Sequence, residues 1–361
     1  MARHGPEGLA WSSARAKAGK IRSQVSAQSQ HTEASRPAGG DRAARDQAVS
    51  AASRVFSREH PYPPQVENRG IRRVARPFRV VAFNARGGVH FAGILECLKR
   101  EPLASAALVL LCEVDFETRR SRGRRVAAEL ASHLGMSVGY VPEFGLVDAT
   151  GRPRAYLGNA ILSAYPLEDV AIISLPAPIK RTFRGIRPLR AVGGPAALSA
   201  TIEVGRERLR VCVAHLDSRC APEGRAFQME ALIANLPRVG RALIGGDLNT
   251  TTTELHTSKA ALRLPFRMLL HPGRFRAPKF YEPLFERLRE AGFEVDGSNE
   301  ATRPTFTFSR FIPPLARPRL DWIALRGIEP VAGSARVIPA RTSLLSARVS
   351  DHDFIAVDLD L

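Results

Sequence analysis

The chain has 361 residues and a hydrophobic content of 44%, enough for one large domain with its own core. Its formal net charge of +18 describes a surface that attracts phosphates, whether of nucleic acid, anionic lipid or small phosphoesters. No apolar run approaches the roughly 18 residues of a membrane span, and the N-terminus lacks a secretory apolar segment. Cys97, Cys112, Cys212 and Cys220 lack the paired spacing of a zinc site or disulfide frame. The expectation is a cytoplasmic protein with no stable protein partner.

Residues 1–76 are rich in Ala, Arg, Ser, Gln and Gly and carry no sustained hydrophobic period. Such a segment buries too little surface to offset its ordering entropy, so it is expected to be a disordered basic extension ending in the linker His60-Pro61-Tyr62-Pro63-Pro64. The charge excess does not reside there alone. Lys and Arg outnumber Asp and Glu by 14 to 6 up to Arg76, and by 39 to 29 beyond it.

From residue 77 to 361 the pattern is that of one catalytic domain in which strands and helices alternate. The expected order is strand 78–84, helix 90–100, strand 107–114, helix 122–134, and β-like runs at 136–141, 158–163 and 170–175. A hairpin follows over 197–204 and 208–215, turning at Gly205-Arg206. Helix 223–236 and strand 241–246 lead into a long basic segment, then helix 282–290 and strands near 304–308, 320–325, 335–339 and 354–361. Many strands, fewer helices and a hairpin fit two packed mixed β-sheets flanked by helices.

Polar residues punctuate the ends of the apolar runs. Asn84 follows Arg79 to Phe83, Glu113 follows Leu108 to Cys112, and His215 follows Leu209 to Ala214. Asp247 and Asn249 follow Ala242 to Gly246, Asp321 opens Trp322 to Leu325, and Ser350-Asp351-His352-Asp353 precedes Phe354 to Val357. Side chains at strand mouths are held rigidly, as metal and phosphate chemistry requires. The oxygen donors Glu113, Asn84, Asp351 and Asp247, without a cysteine or multi-histidine cluster, select a hard cation, Mg²⁺ or Mn²⁺. Asp247 can accept a proton or orient water, Asn249 and His215 can bind a phosphate oxygen, and Asp321 is the expected anchor for His352.

These residues resemble the endonuclease/exonuclease/phosphatase superfamily, the DNase I-like fold. Asn84 resembles the family's first-strand Asn and Glu113 its metal-binding Glu. Gly246-Asp247-Leu248-Asn249 resembles Gly-Asp-x-Asn, Leu320-Asp321-Trp322-Ile323 its Asp-Tyr-Ile-like string, and Ser350-Asp351-His352 its closing Ser-Asp-His. Gly158-Asn159-Ala160-Ile161-Leu162-Ser163 is similar to its Gly-x-Ala-Ile-Leu-Ser strand. The resemblance implies a four-layer α/β sandwich, Mg²⁺-dependent phosphoester cleavage by in-line attack of water, Asp351 near the metal and His352 at the scissile phosphate. His215 follows the DNase-, lipase- and deadenylase-like branches; Tyr156, two before Gly158, follows the apurinic branch and stands as a catalytic phenol or a packed ring.

Substrate is less legible. The basic residues Lys180, Arg181, Arg184, Arg187 and Arg190, with the segment from Arg263 to Lys279, favour a nuclease. The alternative is a lipid (sphingomyelinase-like) or small soluble phosphoester hydrolase, with the arginine-flanked apolar loop Ser309 to Arg317 as a peripheral membrane contact.

Overall fold

The computed structural model describes residues 63–72, 77–147, 153–176, 191–255, 258–300, 302–307, 312–343 and 345–361. The leader up to residue 62, the 180–190 basic cluster and most of the first half of the 309–317 loop lie outside them.

Among the described residues, the strands form two sheets. The nine-stranded sheet runs β1 (Gln65–Glu67), β4 (Ser137–Val147), β5 (Pro153–Ser163), β3 (Ala106–Phe116), β2 (Phe78–Gly87), β14 (Phe354–Asp360), β12 (Glu329–Pro330), with β7 (Ala191–Gly193) on β4 and β13 (Arg336–Ile338) on β14. The five-stranded sheet runs β11 (Asp321–Arg326), β10 (Arg241–Asp247), β9 (Glu207–His215), β8 (Ala196–Val204), β6 (Glu168–Ser174).

Strand alternation explains why the sheets stack. Val80, Ala82, Leu108 and Leu110 from the first sheet share one apolar cluster with Val211, Val213, Leu243 and Ile323 from the second. Their neighbours point outward. Val81, Phe83, Val109 and Leu111 meet Ile94 and Leu98 of α1 (Phe91–Leu98) and Leu130 of α2 (Val126–Leu134). Cys212, Ala214, Ile244 and Trp322 meet Met229 and Leu232 of α3 (Pro222–Ala234) and Leu284 and Leu288 of α6 (Leu284–Glu290). Strands buried on both faces read as unbroken apolar runs, which is why 107–114 and 241–246 carry no polar alternation. The layers are helix, sheet, sheet, helix, the sandwich expected from the sequence. The 197–215 hairpin is also present, Val204 pairing with Glu207 across a turn in which Gly205 has φ of 65°.

Three expectations need correction. The extension drawn to residue 76 includes β1, which pairs antiparallel with β4. Asn68 donates to the Leu167 carbonyl at 3.0 Å and the Arg69 amide to Ser137 Oγ at 2.9 Å. The domain therefore starts before residue 77, because the edge of buried β4 has backbone groups that even a short, exposed polar segment can satisfy. Residues 304–308 hold no strand among those described; Phe306 makes a single bridge to His352. The long basic segment contains α4 (Ser258–Leu270) and α5 (Pro272–Arg276).

Candidate active site

Chain direction brings the polar termini together. β2 runs parallel to β3, and β9 parallel to β10, so their carboxyl ends emerge side by side. β11 and β14 run antiparallel to β10 and β2, and deliver their amino ends to the same edge. In register, Asp247 lies between His215 on β9 and Asp321 on β11.

The side chains then close across the two sheets. Asn84 Nδ2 donates to Asp247 Oδ2 at 3.0 Å and to Glu113 Oε1 at 3.2 Å. His352 Nδ1 lies 2.8 Å from Asp321 Oδ2, and its Nε2 is 3.6 Å from Asp247 Oδ2. His215 Nε2 lies 3.7 Å from the same Asp247 oxygen and 3.8 Å from Glu113 Oε1. Asp247 Oδ1 accepts the Asn249 amide at 3.0 Å, and Asn249 Nδ2 gives one proton to the Leu216 carbonyl at 2.8 Å. Ser350 Oγ bonds the Asn84 carbonyl at 2.8 Å and sits 3.3 Å from Asp351 Oδ1, so the last segment is fastened to the first. Asp351 faces Arg86 Nε at 3.6 Å from the half-buried rim.

Backbone conformation shapes this edge. Glu113 has φ of 49° and sits where the β3–β5 register slips between Leu111 and Val114; Asn249 has φ of 50°. A non-glycine residue in the left-handed region costs energy, and a bulge re-aims its side chain out of the sheet. Gly246 has φ of 137°, and a Cβ there would stand 2.2 Å from the Ala214 carbonyl oxygen and 2.9 Å from Cys112 Sγ. Gly246→Ala is expected to cost roughly 2–4 kcal/mol, read from the urea midpoint, and to displace Asp247. An unchanged midpoint would contradict the close approach.

The buried charges set each other's protonation. Burial opposes a charge on His352, but Asp321 and Asp247 outweigh it and push its pKa up to about 10. His215 follows the same balance, held up to about 9 chiefly by Glu143, then Asp247 and Glu113. Both imidazoles therefore carry a proton at neutral pH. Burial pushes Asp247 up to about 6, with the imidazoles pulling against it. Glu113 is lowered: burial opposes its charge, while His215 and the Asn84 hydrogen bond favour it more.

Asp247, Asp321 and His352 place ligand atoms within 4.8 Å of one another, a spacing compatible with a metal. The chemistry speaks against an ion there, because Asp321 Oδ2 is committed to a protonated imidazole. Glu113 offers a hard carboxylate oxygen instead, steadied by the Asn84 amide, whose own Oδ1 accepts the Arg86 backbone amide at 2.9 Å.

Glu143 was not singled out by the sequence reading. It is buried on β4, 3.7 Å from His215 Nδ1, and accepts the Ala196 amide at 3.2 Å. The available signal was a lone acid inside the apolar run of β4. Removing it with Glu143→Gln should lower the His215 pKa, since a raised imidazole pKa needs its anion. The alkaline limb of the pH–kcat/KM profile should then move to lower pH, with a loss of about tenfold at pH 8. An unshifted limb would separate His215 from that limb. Thr305 was missed as well; its hydroxyl accepts the Leu320 and Asp321 amides at 2.9 and 3.1 Å. Tyr156 lies opposite Phe116 on β3, its ring meeting Phe116 edge-on at 5.8 Å in a group with Tyr140.

Residues 81–352 match the family model of the Endonuclease/Exonuclease/phosphatase family. Among curated proteins, none matches the chain in sequence. Solved structures share the fold. An endonuclease/exonuclease/phosphatase from Beutenbergia cavernae DSM 12333 is 18% identical with a TM-score of 0.51, covering 79% of this chain and 71% of that one. An endonuclease/exonuclease/phosphatase family protein from Leptotrichia buccalis C-1013-b is 14% identical with a TM-score of 0.53, covering 79% and 100%. The 3′ phosphatase NExo from Neisseria, bound to product DNA hairpin, is 15% identical with a TM-score of 0.50, covering 79% and 100%. The family match spans every strand-end residue from Asn84 to His352, and the chain belongs to the endonuclease/exonuclease/phosphatase family of phosphoric ester hydrolases.

Proposed function

We propose that the protein is a Mg²⁺- or Mn²⁺-dependent phosphodiesterase that hydrolyses nucleic acid. The observation that carries the reading is the placement of Asp247 between two protonated imidazoles, with the lowered carboxylate of Glu113 alongside. Glu113, with Asp351 on the rim, would hold the ion, and Asn84 would fix the Glu113 carboxylate through its amide. When bound, it supplies Lewis-acid polarisation of a phosphoryl oxygen and neutralises developing charge.

The remaining chemistry belongs to the chain. Asp247, oriented through Oδ1 by the Asn249 amide and through Oδ2 by Asn84, orients water and accepts its proton; a pKa of about 6 suits that task near neutrality. His352, aimed by Asp321, donates to a non-bridging oxygen as charge accumulates. His215, aimed by Glu143, approaches from the other side of Asp247. The second amide proton of Asn249 is available to a phosphate oxygen.

Nucleic acid is supported by the basic balance of the domain and by the product DNA bound to the Neisseria relative. A lipid phosphoester is the second reading, favoured by an exposed apolar face on α4. A panel of plasmid, single-stranded and abasic DNA, RNA, sphingomyelin and a soluble phosphodiester, each with Mg²⁺, Mn²⁺ or EDTA, tests both. Cleavage of DNA or RNA that EDTA abolishes is expected. Turnover that survives EDTA would overturn metal dependence, and turnover of sphingomyelin alone would overturn the nuclease reading.

A further inference from the structure

The chain between β10 and β11 folds a small lobe around its own apolar cluster of Leu264, Met268, Phe275, Ile312 and Ala316. α4 supplies Leu264 and Met268 to that cluster from one side. On its opposite side stand Leu262, Phe266, Leu269 and Leu270, exposed by 83%, 64%, 50% and 57%. Spaced i, i+4, i+7 and i+8, they form one stripe about 100° wide. Phe280 and Leu315, 84% and 65% exposed, lie on short segments packed against α5. Single exposed apolar residues are ordinary on protein surfaces; a helix with two apolar faces, one of them bare, has a partner to find.

Charge indicates which partner. From residue 258 to 282 the basic residues are Lys259, Arg263, Arg267, Arg274, Arg276 and Lys279, and the one acid is Glu282. Glu282 is fully buried and held by Arg225. Arg263 and Arg267 follow the apolar stripe around the helix; both are exposed, and Arg267 Nη1 also donates to Thr253 Oγ1 at 2.6 Å. A second copy meeting this face by two-fold symmetry would bring arginine against arginine. Nucleic acid would leave three leucines against a charged backbone, since its bases stack on aromatic rings and the stripe has only Phe266.

We propose that this face docks the enzyme on an anionic lipid surface. Leu262, Phe266, Leu269 and Leu270 enter the boundary between headgroups and acyl chains, and Arg263 and Arg267 meet the lipid phosphates. The lobe is joined to the catalytic edge. Arg274 Nη2 donates to the Thr252 carbonyl at 2.7 Å, three residues past Asn249, and the Arg319 amide to the Phe275 carbonyl at 3.2 Å, two residues before Asp321. The docking does not depend on which phosphoester the site cleaves.

The test is co-sedimentation of the full-length protein with vesicles of phosphatidylcholine alone, or of phosphatidylcholine with phosphatidylglycerol. Binding is expected only to the anionic vesicles, and weaker as NaCl rises. Leu262→Asp with Phe266→Asp should reduce affinity roughly thirtyfold or more, and Arg263→Gln with Arg267→Gln about tenfold. Far-UV circular dichroism and the thermal midpoint check that both variants stay folded. Equal binding to both vesicle types, or vesicle binding that survives the Asp pair, overturns the proposal. So does a dimer in sedimentation velocity, or DNA binding, that the Asp pair abolishes.

Discussion

His352→Gln is expected to lower kcat on the cleaved phosphodiester by about 10³-fold with KM nearly unchanged. The imidazolium contributes most as charge builds on the phosphoryl oxygens, so its loss falls on the transition state rather than on substrate binding. Asp321 aims that ring through Nδ1 at 2.8 Å. Asp321→Asn should therefore cost about 10²-fold by letting the ring rotate and lose its proton. The double variant should be no slower than His352→Gln alone, because the two residues act as a unit. Steady-state kinetics on the three proteins, with thermal midpoints to check folding, decide the matter. A fall of less than about tenfold for His352→Gln would remove it from the chemistry.

The second large effect is on stability. Arg225 on α3 and Glu282 before α6 are both fully buried, joined by two hydrogen bonds of 3.0 and 2.6 Å. Arg225 also donates to the Cys220 carbonyl, and Glu282 accepts the Thr252 amide, where φ is 55°. The pair thus ties α3, the start of α6 and the loop beyond Asn249 to one point. Arg225→Met should destabilise the domain by about 3–5 kcal/mol, since it leaves Glu282 charged or unpaired in the interior. Adding Glu282→Leu should recover much of that loss, leaving mainly the orphaned Thr252 amide and Cys220 carbonyl, at about 1–3 kcal/mol each. Urea unfolding of wild type, single and double variants gives the comparison. A single variant within about 1 kcal/mol of wild type would show that water reaches the site.

Much of the catalytic edge was visible from spacing because its residues interrupt apolar runs. His215 and Asp247 end strands buried on both faces, and Asn84 and Glu113 stand at register breaks near the ends of β2 and β3, where a polar side chain has to find partners or leave the sheet. Glu143 escaped notice for the opposite reason. It sits within a strand, and its purpose becomes apparent only when β4 is laid against β8 and His215. α4 escaped because its apolar residues populate two opposite faces, so no single stripe emerges from the pattern. The Thr305 segment, where a strand is expected, serves instead as a strap whose hydroxyl and single bridge support Asp321 and His352.

The sequence alone determined the order of the central strands and of the helices that cover them, their two-sided burial and the identity of the polar residues near their ends, since these depend on local periodicity and on where polarity breaks it. Asp321 was already the expected anchor for His352, but other pairings between distant segments were decided only by the tertiary structure: Glu143 with His215, and Asn84 with both Asp247 and Glu113. Protonation belongs with them, because an imidazole pKa near 9 or 10 requires desolvation and carboxylates brought from other strands, which no linear spacing specifies.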